Sequence, residues 1–125
     1  MPSYDATGSG PPAPTSLVTL HNPDKGSNLT GIMMLLDTGA DVTLIPRIAV
    51  ERLGVSLEAN AGFAVQGFDS NESLPPIATL QVIFLRKAFL GHYMVIEGET
   101  GILRRDILNH LVLLFDGPRQ QWSQQ

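Results

Sequence analysis

Apolar positions along this chain fall in short runs separated by turn formers. Runs over 17–20, 29–36, 42–45, 77–85 and 89–96 are bounded by clusters of Gly, Pro, Asn, Asp or charged residues and predict strands. The segment 46–53 reads as a short helix. Pro46 suits a first turn, Ile48, Ala49 and Leu53 share one side, and Gly54 stands where a helix stops. The polar, glycine-containing stretch 66–73 lies between the apolar segments 63–65 and 77–85, which predicts a long hairpin. Arg86-Lys87 marks a turn, 97–101 a loop and 105–110 one or two helical turns. The final hairpin is expected from 111–115 and 119–122 around Asp116-Gly117-Pro118. The sum is mostly β with two short helices. Residues 1–16 hold four of the nine prolines and read as a flexible arm, leaving 17–125 as one domain.

One stretch interrupts this plain pattern. Met33-Met34-Leu35-Leu36 delivers a single carboxylate, Asp37, into the turn Thr38-Gly39, and Val42-Thr43-Leu44-Ile45 leads away. A carboxylate inside apolar flanks is costly unless it is hydrogen-bonded or shares a proton, so Asp37 is marked for chemistry. Thr38 offers a hydroxyl to lock the turn. Gly39 lacks a Cβ, so its backbone N–H can come close to a carboxylate or ligand. Met33 and Met34 read as core filler.

Composition narrows the chemistry. The 125 residues are 43% hydrophobic and 16% charged, enough for a globular core, and aromatics are only 6%. The net charge of -4 argues against a nucleic-acid partner. With no cysteine there is no disulfide, thiolate site or cysteine nucleophile. His21, His92 and His110 are scattered without metal-ligand spacing, so no metal and no cofactor is expected. The N-terminal arm has no signal-peptide pattern and no run approaches a membrane span, so no membrane partner and a cytoplasmic location are expected.

The segment Leu35-Leu36-Asp37-Thr38-Gly39-Ala40-Asp41-Val42-Thr43 resembles the active-site segment of the retropepsins, the retroviral-type aspartic proteases. Ile102-Leu103-Arg104-Arg105-Asp106-Ile107-Leu108 resembles the downstream apolar-apolar-Gly-Arg-Asp/Asn segment of that family, and Val65-Gln66-Gly67-Phe68 lies where the family places its flap. The resemblance implies a closed β-barrel of the acid-protease fold with a flap hairpin and an obligate two-fold dimer. It implies an aspartic endopeptidase in which two carboxylates share a proton across one water. Only one Asp-Thr-Gly is present, so each subunit of a homodimer would contribute Asp37.

By the same resemblance, Thr38 and Gly39 complete the catalytic turn. Ala40, Asp41, Val65, Gln66, Gly67, Phe68, Ile102 and Leu103 would contact an extended peptide with apolar side chains at the scissile bond, and Asp41 would pair with Arg105. Trp122 would be either an anchor for the terminal hairpin at the dimer interface, the favoured reading because retropepsin dimers are held largely by sheet built from chain termini, or a partly exposed end residue. Ala40 cannot donate a hydroxyl to the dyad, which implies a pH optimum of about 5 to 6 rather than one near ~2 to 3. Arg104 departs from the pattern, since the family has glycine there. An arginine at that point needs room and brings charge to the dyad. A rival reading follows: a pseudoprotease of the same fold that acts as a dimerisation or peptide-binding module.

Overall fold

A computed structural model of the chain describes residues 3–5, 10–59 and 74–125. The expected strand at 63–65 and the flap residues Val65, Gln66, Gly67 and Phe68 lie outside the described residues. Nine strands and two short helices are present among those described. They are β1 (Tyr4–Asp5), β2 (Ala13–His21), β3 (Asn28–Leu36), β4 (Leu44–Pro46), α1 (Arg47–Leu53), β5 (Ile77–Phe84) and β6 (Lys87–Ile96). β7 (Gly101–Leu103), α2 (Arg105–Leu108), β8 (Leu113–Asp116) and β9 (Gln121–Gln124) complete the order.

Six strands close on themselves in the order β2-β3-β7-β4-β6-β5, with β5 pairing back onto β2 through Thr19–Ile83, Leu20–Val82 and His21–Gln81. Closure leaves these strands without a free edge, which protects a small barrel from edge-to-edge association. Most neighbours are antiparallel, but β3–β7 and β4–β6 are parallel. β1 extends the sheet beside β2, and β8–β9 form a separate two-stranded sheet.

Strand alternation builds the core. Along β5 the side chains of Ala78, Leu80, Val82 and Phe84 are buried while Ile77, Thr79, Gln81 and Ile83 are only half-buried. In β3 the run of apolar residues does not alternate, yet the structure selects a face. Met34 is fully buried, whereas Met33 is 37% exposed and is not core filler. The helix α1 buries Ala49, Val50 and Leu53 against the barrel and leaves Ile48 exposed, so its inward face is rotated from the one expected. Gly54 ends it with φ 80°, a left-handed conformation that favours glycine.

Several boundaries differ from the sequence pattern. β2 begins at Ala13, and Tyr4–Asp5 pairs with Pro14 and Ala13, so part of the presumed arm belongs to the sheet. Proline-rich composition hid this, although Pro is tolerated at the outer end of a strand where no ladder hydrogen bond is needed. The β5–β6 turn falls on Leu85 and Arg86, with φ 52° and 66°, and Lys87 already belongs to β6. Two consecutive positive φ values give the turn that matches the twist of a hairpin, at some strain for residues with a Cβ.

Trp122 is a core residue. It is 1% exposed, packs on Phe84 with ring centroids 5.8 Å apart, and donates its indole N–H to the Thr15 carbonyl at 2.9 Å. The chain therefore covers Trp122 itself, contrary to the interface role expected of it. Its large apolar surface and single donor are both satisfied beneath β8–β9. Among the described residues, no helix is long and apolar enough to cross a membrane.

Candidate active site

The two sequence motifs meet because β3 and β7 run side by side in parallel, pairing Met34 with Gly101, Leu35 with Ile102 and Leu36 with Leu103. Gly101 makes that approach possible. A Cβ there would stand 2.7 Å from the Leu44 carbonyl oxygen and would collide with the Met34 thioether. The sequence pattern assigned Gly101 only to a loop. Its spacing before Ile102-Leu103 was the available signal.

Asp37 follows directly from β3. Its N–H continues the ladder to the Leu103 carbonyl at 2.9 Å. The chain then turns, and Gly39 N–H donates to Asp37 Oδ1 at 2.8 Å. A Cβ on Gly39 would lie 3.0 Å from that same oxygen, so glycine leaves the space that this bond occupies. The side chain of Asp37 is 37% exposed, held by one backbone donor and still open to solvent. Thr38 and Asp41 are exposed, and Ala40 is half-buried.

The start of α2 ties this turn down. Arg105 N–H and Nε–H both donate to the Ala40 carbonyl, each at 3.2 Å, and Asp106 N–H donates to the Asp41 carbonyl at 3.0 Å. The expected Asp41–Arg105 ion pair is formed through Arg105 Nη2 and Asp41 Oδ1. Both partners are solvent-exposed, so the charge interaction itself contributes about 0–1 kcal/mol, and the hold on Ala40 is the larger structural effect.

Asp106 and Thr43 carry a second tie that the sequence reading missed. Thr43 is fully buried, a polar residue inside an otherwise apolar strand entry. Its N–H donates to Asp106 Oδ2 at 2.9 Å and its hydroxyl to Oδ1 at 2.6 Å. The same hydroxyl oxygen accepts the Arg104 N–H at 3.0 Å. Thr43 thus joins the segment after Asp37 to the segment after β7. The signal was present: a threonine buried between Val42 and Leu44 needs partners, and a downstream carboxylate can supply them.

Arg104 turns towards the carboxylate. Its Nε stands 3.7 Å from Asp37 Oδ2, an ion-pair separation beyond hydrogen-bond range, and its side chain is 23% exposed. That Nε is buried and has no hydrogen-bond acceptor. Leu103 corrects an expectation. It is 0% exposed and belongs to the core, so its side chain does not line a peptide cleft. Alternation along β7 turns Gly101 and Leu103 inward and leaves Ile102 half-buried on the other face. Among the described residues, no three His, Asp or Glu side chains gather as a metal site.

Tyr93, on β6, lies close to this network. Burial first, and then the Asp106 carboxylate, push its phenol well above the usual range, and its hydroxyl donates to the Phe89 carbonyl at 2.6 Å.

No protein-family model matches the sequence, and no curated protein matches it. Solved structures do. EIAV protease complexed with the inhibitor HBY-793 is similar with a TM-score of 0.54 and 20% identity, covering 86% of this chain and 92% of that one. A retropepsin-like aspartic protease from Rickettsia conorii is similar with a TM-score of 0.46 and 18% identity, covering 83% of this chain and 89% of that one. At such identity the first likeness speaks for fold, and with the closed six-stranded barrel it shows that this chain has the retropepsin-like fold.

Proposed function

We propose that the chain is an aspartic endopeptidase that works as a homodimer, with one Asp37 from each subunit facing the other across a two-fold axis. The observation that carries this reading is Asp37 itself. A partly exposed carboxylate sits at the end of a parallel strand pair, aimed by Gly39 N–H at 2.8 Å and backed by the α2 ties to Ala40 and Asp41. Two such groups brought within about 3 Å cannot both ionise easily and would share a proton. The ionised member takes a proton from water, which attacks the scissile carbonyl, and the protonated member donates to the carbonyl oxygen.

The rest of the chain is consistent with that assembly. It matches nearly the whole length of a retroviral protease chain and carries a single Asp-Thr-Gly. Val112, Leu114 and Phe115, in and just before β8, are 66%, 54% and 40% exposed, an apolar strip suited to a second copy. The substrate would be an extended peptide with apolar side chains beside the scissile bond, added as a strand and met by Asp41, Ile102 and the flap residues Val65–Phe68. A cytoplasmic location belongs to the same proposal.

One observation favours a second reading, a pseudoprotease that binds peptides or dimerises without turnover. The Arg104 guanidinium stands 3.7 Å from Asp37 and adds positive charge where a proton must be shared. Incubation with casein or an apolar peptide library at about pH 5 to 6 separates the two readings. The enzyme cleaves and its Asp37→Asn variant does not. Peptide binding without cleavage establishes the second reading, and equal cleavage by both proteins removes the support for the first.

A further inference from the structure

We infer that Arg104 is an autoinhibitory residue: its guanidinium favours an ionised Asp37, which opposes proton sharing and keeps the paired site below its full rate. The inference rests on the dimeric aspartic-protease reading above and names a restraint on that same site.

The charged groups around the turn divide cleanly. Arg105 is committed to Asp41 and to the Ala40 carbonyl. Asp106 accepts from Thr43 at both of its oxygens. Asp37 Oδ1 accepts from Gly39 N–H, whereas Oδ2 faces Arg104 Nε at 3.7 Å. Arg104 is therefore the cation among the described residues that stands against Asp37. The contact is fixed from behind. Arg104 N–H donates to Thr43 Oγ1 at 3.0 Å, and its backbone is extended just before α2. Its Nε is buried without an acceptor, and the Asp37 carboxylate is the acceptor nearest to hand.

The proposed chemistry needs one proton shared by two carboxylates. A guanidinium beside a carboxylate favours the ionised form. In a pair of chains each Asp37 carries its own Arg104, so two cations bias the pair towards losing the shared proton. Two ionised carboxylates supply a base but no acid, and the scissile carbonyl oxygen then receives no proton. A bond from Nε to Asp37 would act in the same direction, because an ionised carboxylate is the stronger acceptor. Satisfying Arg104 and sharing a proton therefore compete for the same side chain.

The test measures cleavage of a quenched apolar peptide library by the full chain across acid and neutral pH, for wild type, Arg104→Gln, Arg104→Met and Arg104→Lys. Sedimentation velocity sets a concentration at which each protein is dimeric, so that equal numbers of paired sites are compared. Gln and Met remove the charge but keep a long side chain. They should raise kcat/KM by about tenfold or more near neutral pH and carry activity about one pH unit further towards neutral. Lys keeps the charge and should show neither gain. Asp37→Asn should abolish cleavage in every background. Circular dichroism and Trp122 fluorescence identify any variant that fails to fold, and Gln carries the comparison if Met does. Folded Gln and Met variants that cleave no faster than wild type overturn the inference, as does a Lys variant that gains as much as they do. Failure of both Gln and Met to fold or pair makes Arg104 a structural residue and overturns it too. Each of these results leaves the protease reading standing where wild-type cleavage depends on Asp37. Cleavage by neither wild type nor the folded, dimeric Gln and Met variants overturns both.

Discussion

Replacing Thr43 with valine tests whether the tie between the two motifs holds the site together. Valine keeps the shape and burial of the side chain but removes its hydroxyl. Two interactions go: the hydroxyl donation to Asp106 Oδ1 at 2.6 Å and the acceptance of Arg104 N–H at 3.0 Å. Asp106 is solvent-exposed as a residue, so water can take over part of the first, and its loss costs about 1 kcal/mol. The Arg104 N–H has no comparable replacement beside the buried Thr43 side chain, and leaving it unsatisfied costs about 1–2 kcal/mol. The expected total is about 2–3 kcal/mol. For a domain of this size about 4 °C is lost per kcal/mol, so Tm should fall by about 8–12 °C. Thr43→Ser keeps the hydroxyl and should lose less than half as much. The assay is thermal and urea unfolding followed by the single, buried Trp122, at one fixed protein concentration because association stabilises the folded chain. A Thr43→Val variant within about 2 °C of wild type would show that this network does not stabilise the site as argued.

Three further outcomes are expected. Gly39→Ala crowds Asp37 Oδ1 from 3.0 Å, so peptide cleavage should drop by about 10²-fold while Tm hardly moves; equal activity would disconnect the turn from the chemistry. Gly101→Ala meets the Leu44 carbonyl at 2.7 Å and should cost about 1–3 kcal/mol or more in urea unfolding, and shortening Met34 should not rescue it because the backbone clash remains. Tyr93 holds its proton in the folded chain above the usual 10.0, so its contribution is fully present below that pH and is lost above it, as the unfolded chain releases the proton first. Stability should decline above about pH 10, and Tyr93→Phe should flatten that decline while losing the bond to the Phe89 carbonyl; an unchanged alkaline slope refutes the assignment.

The sequence by itself determined the local features of the site. An apolar run ending in Asp-Thr-Gly implies a strand that stops at a tight turn, because burial, turn chemistry and the missing Cβ all act within a few residues. The strand at β5, the stop at Gly54 and the Asp41–Arg105 pairing were legible for the same reason, or through the resemblance of two short motifs. What the tertiary structure decided depends on neighbours far apart in the chain. The apolar run of β3 does not say which methionine faces in, and barrel closure selects Met34 over Met33. Leu103 read as a cleft residue until the β7 register turned it into the core. Trp122 carried no sign of its partner, because Thr15 and Phe84 reach it only once β8–β9 folds over the barrel. Buried polar groups show the difference most clearly. Thr43 and Asp106 are unremarkable apart, and Arg104 is merely an unusual residue in its motif. Only the packing of β3 and β4 against β7 brings the Thr43 hydroxyl to the Asp106 carboxylate and the Arg104 guanidinium to Asp37, since side-chain hydrogen bonds and ion pairs act over a few ångströms whatever the distance along the chain.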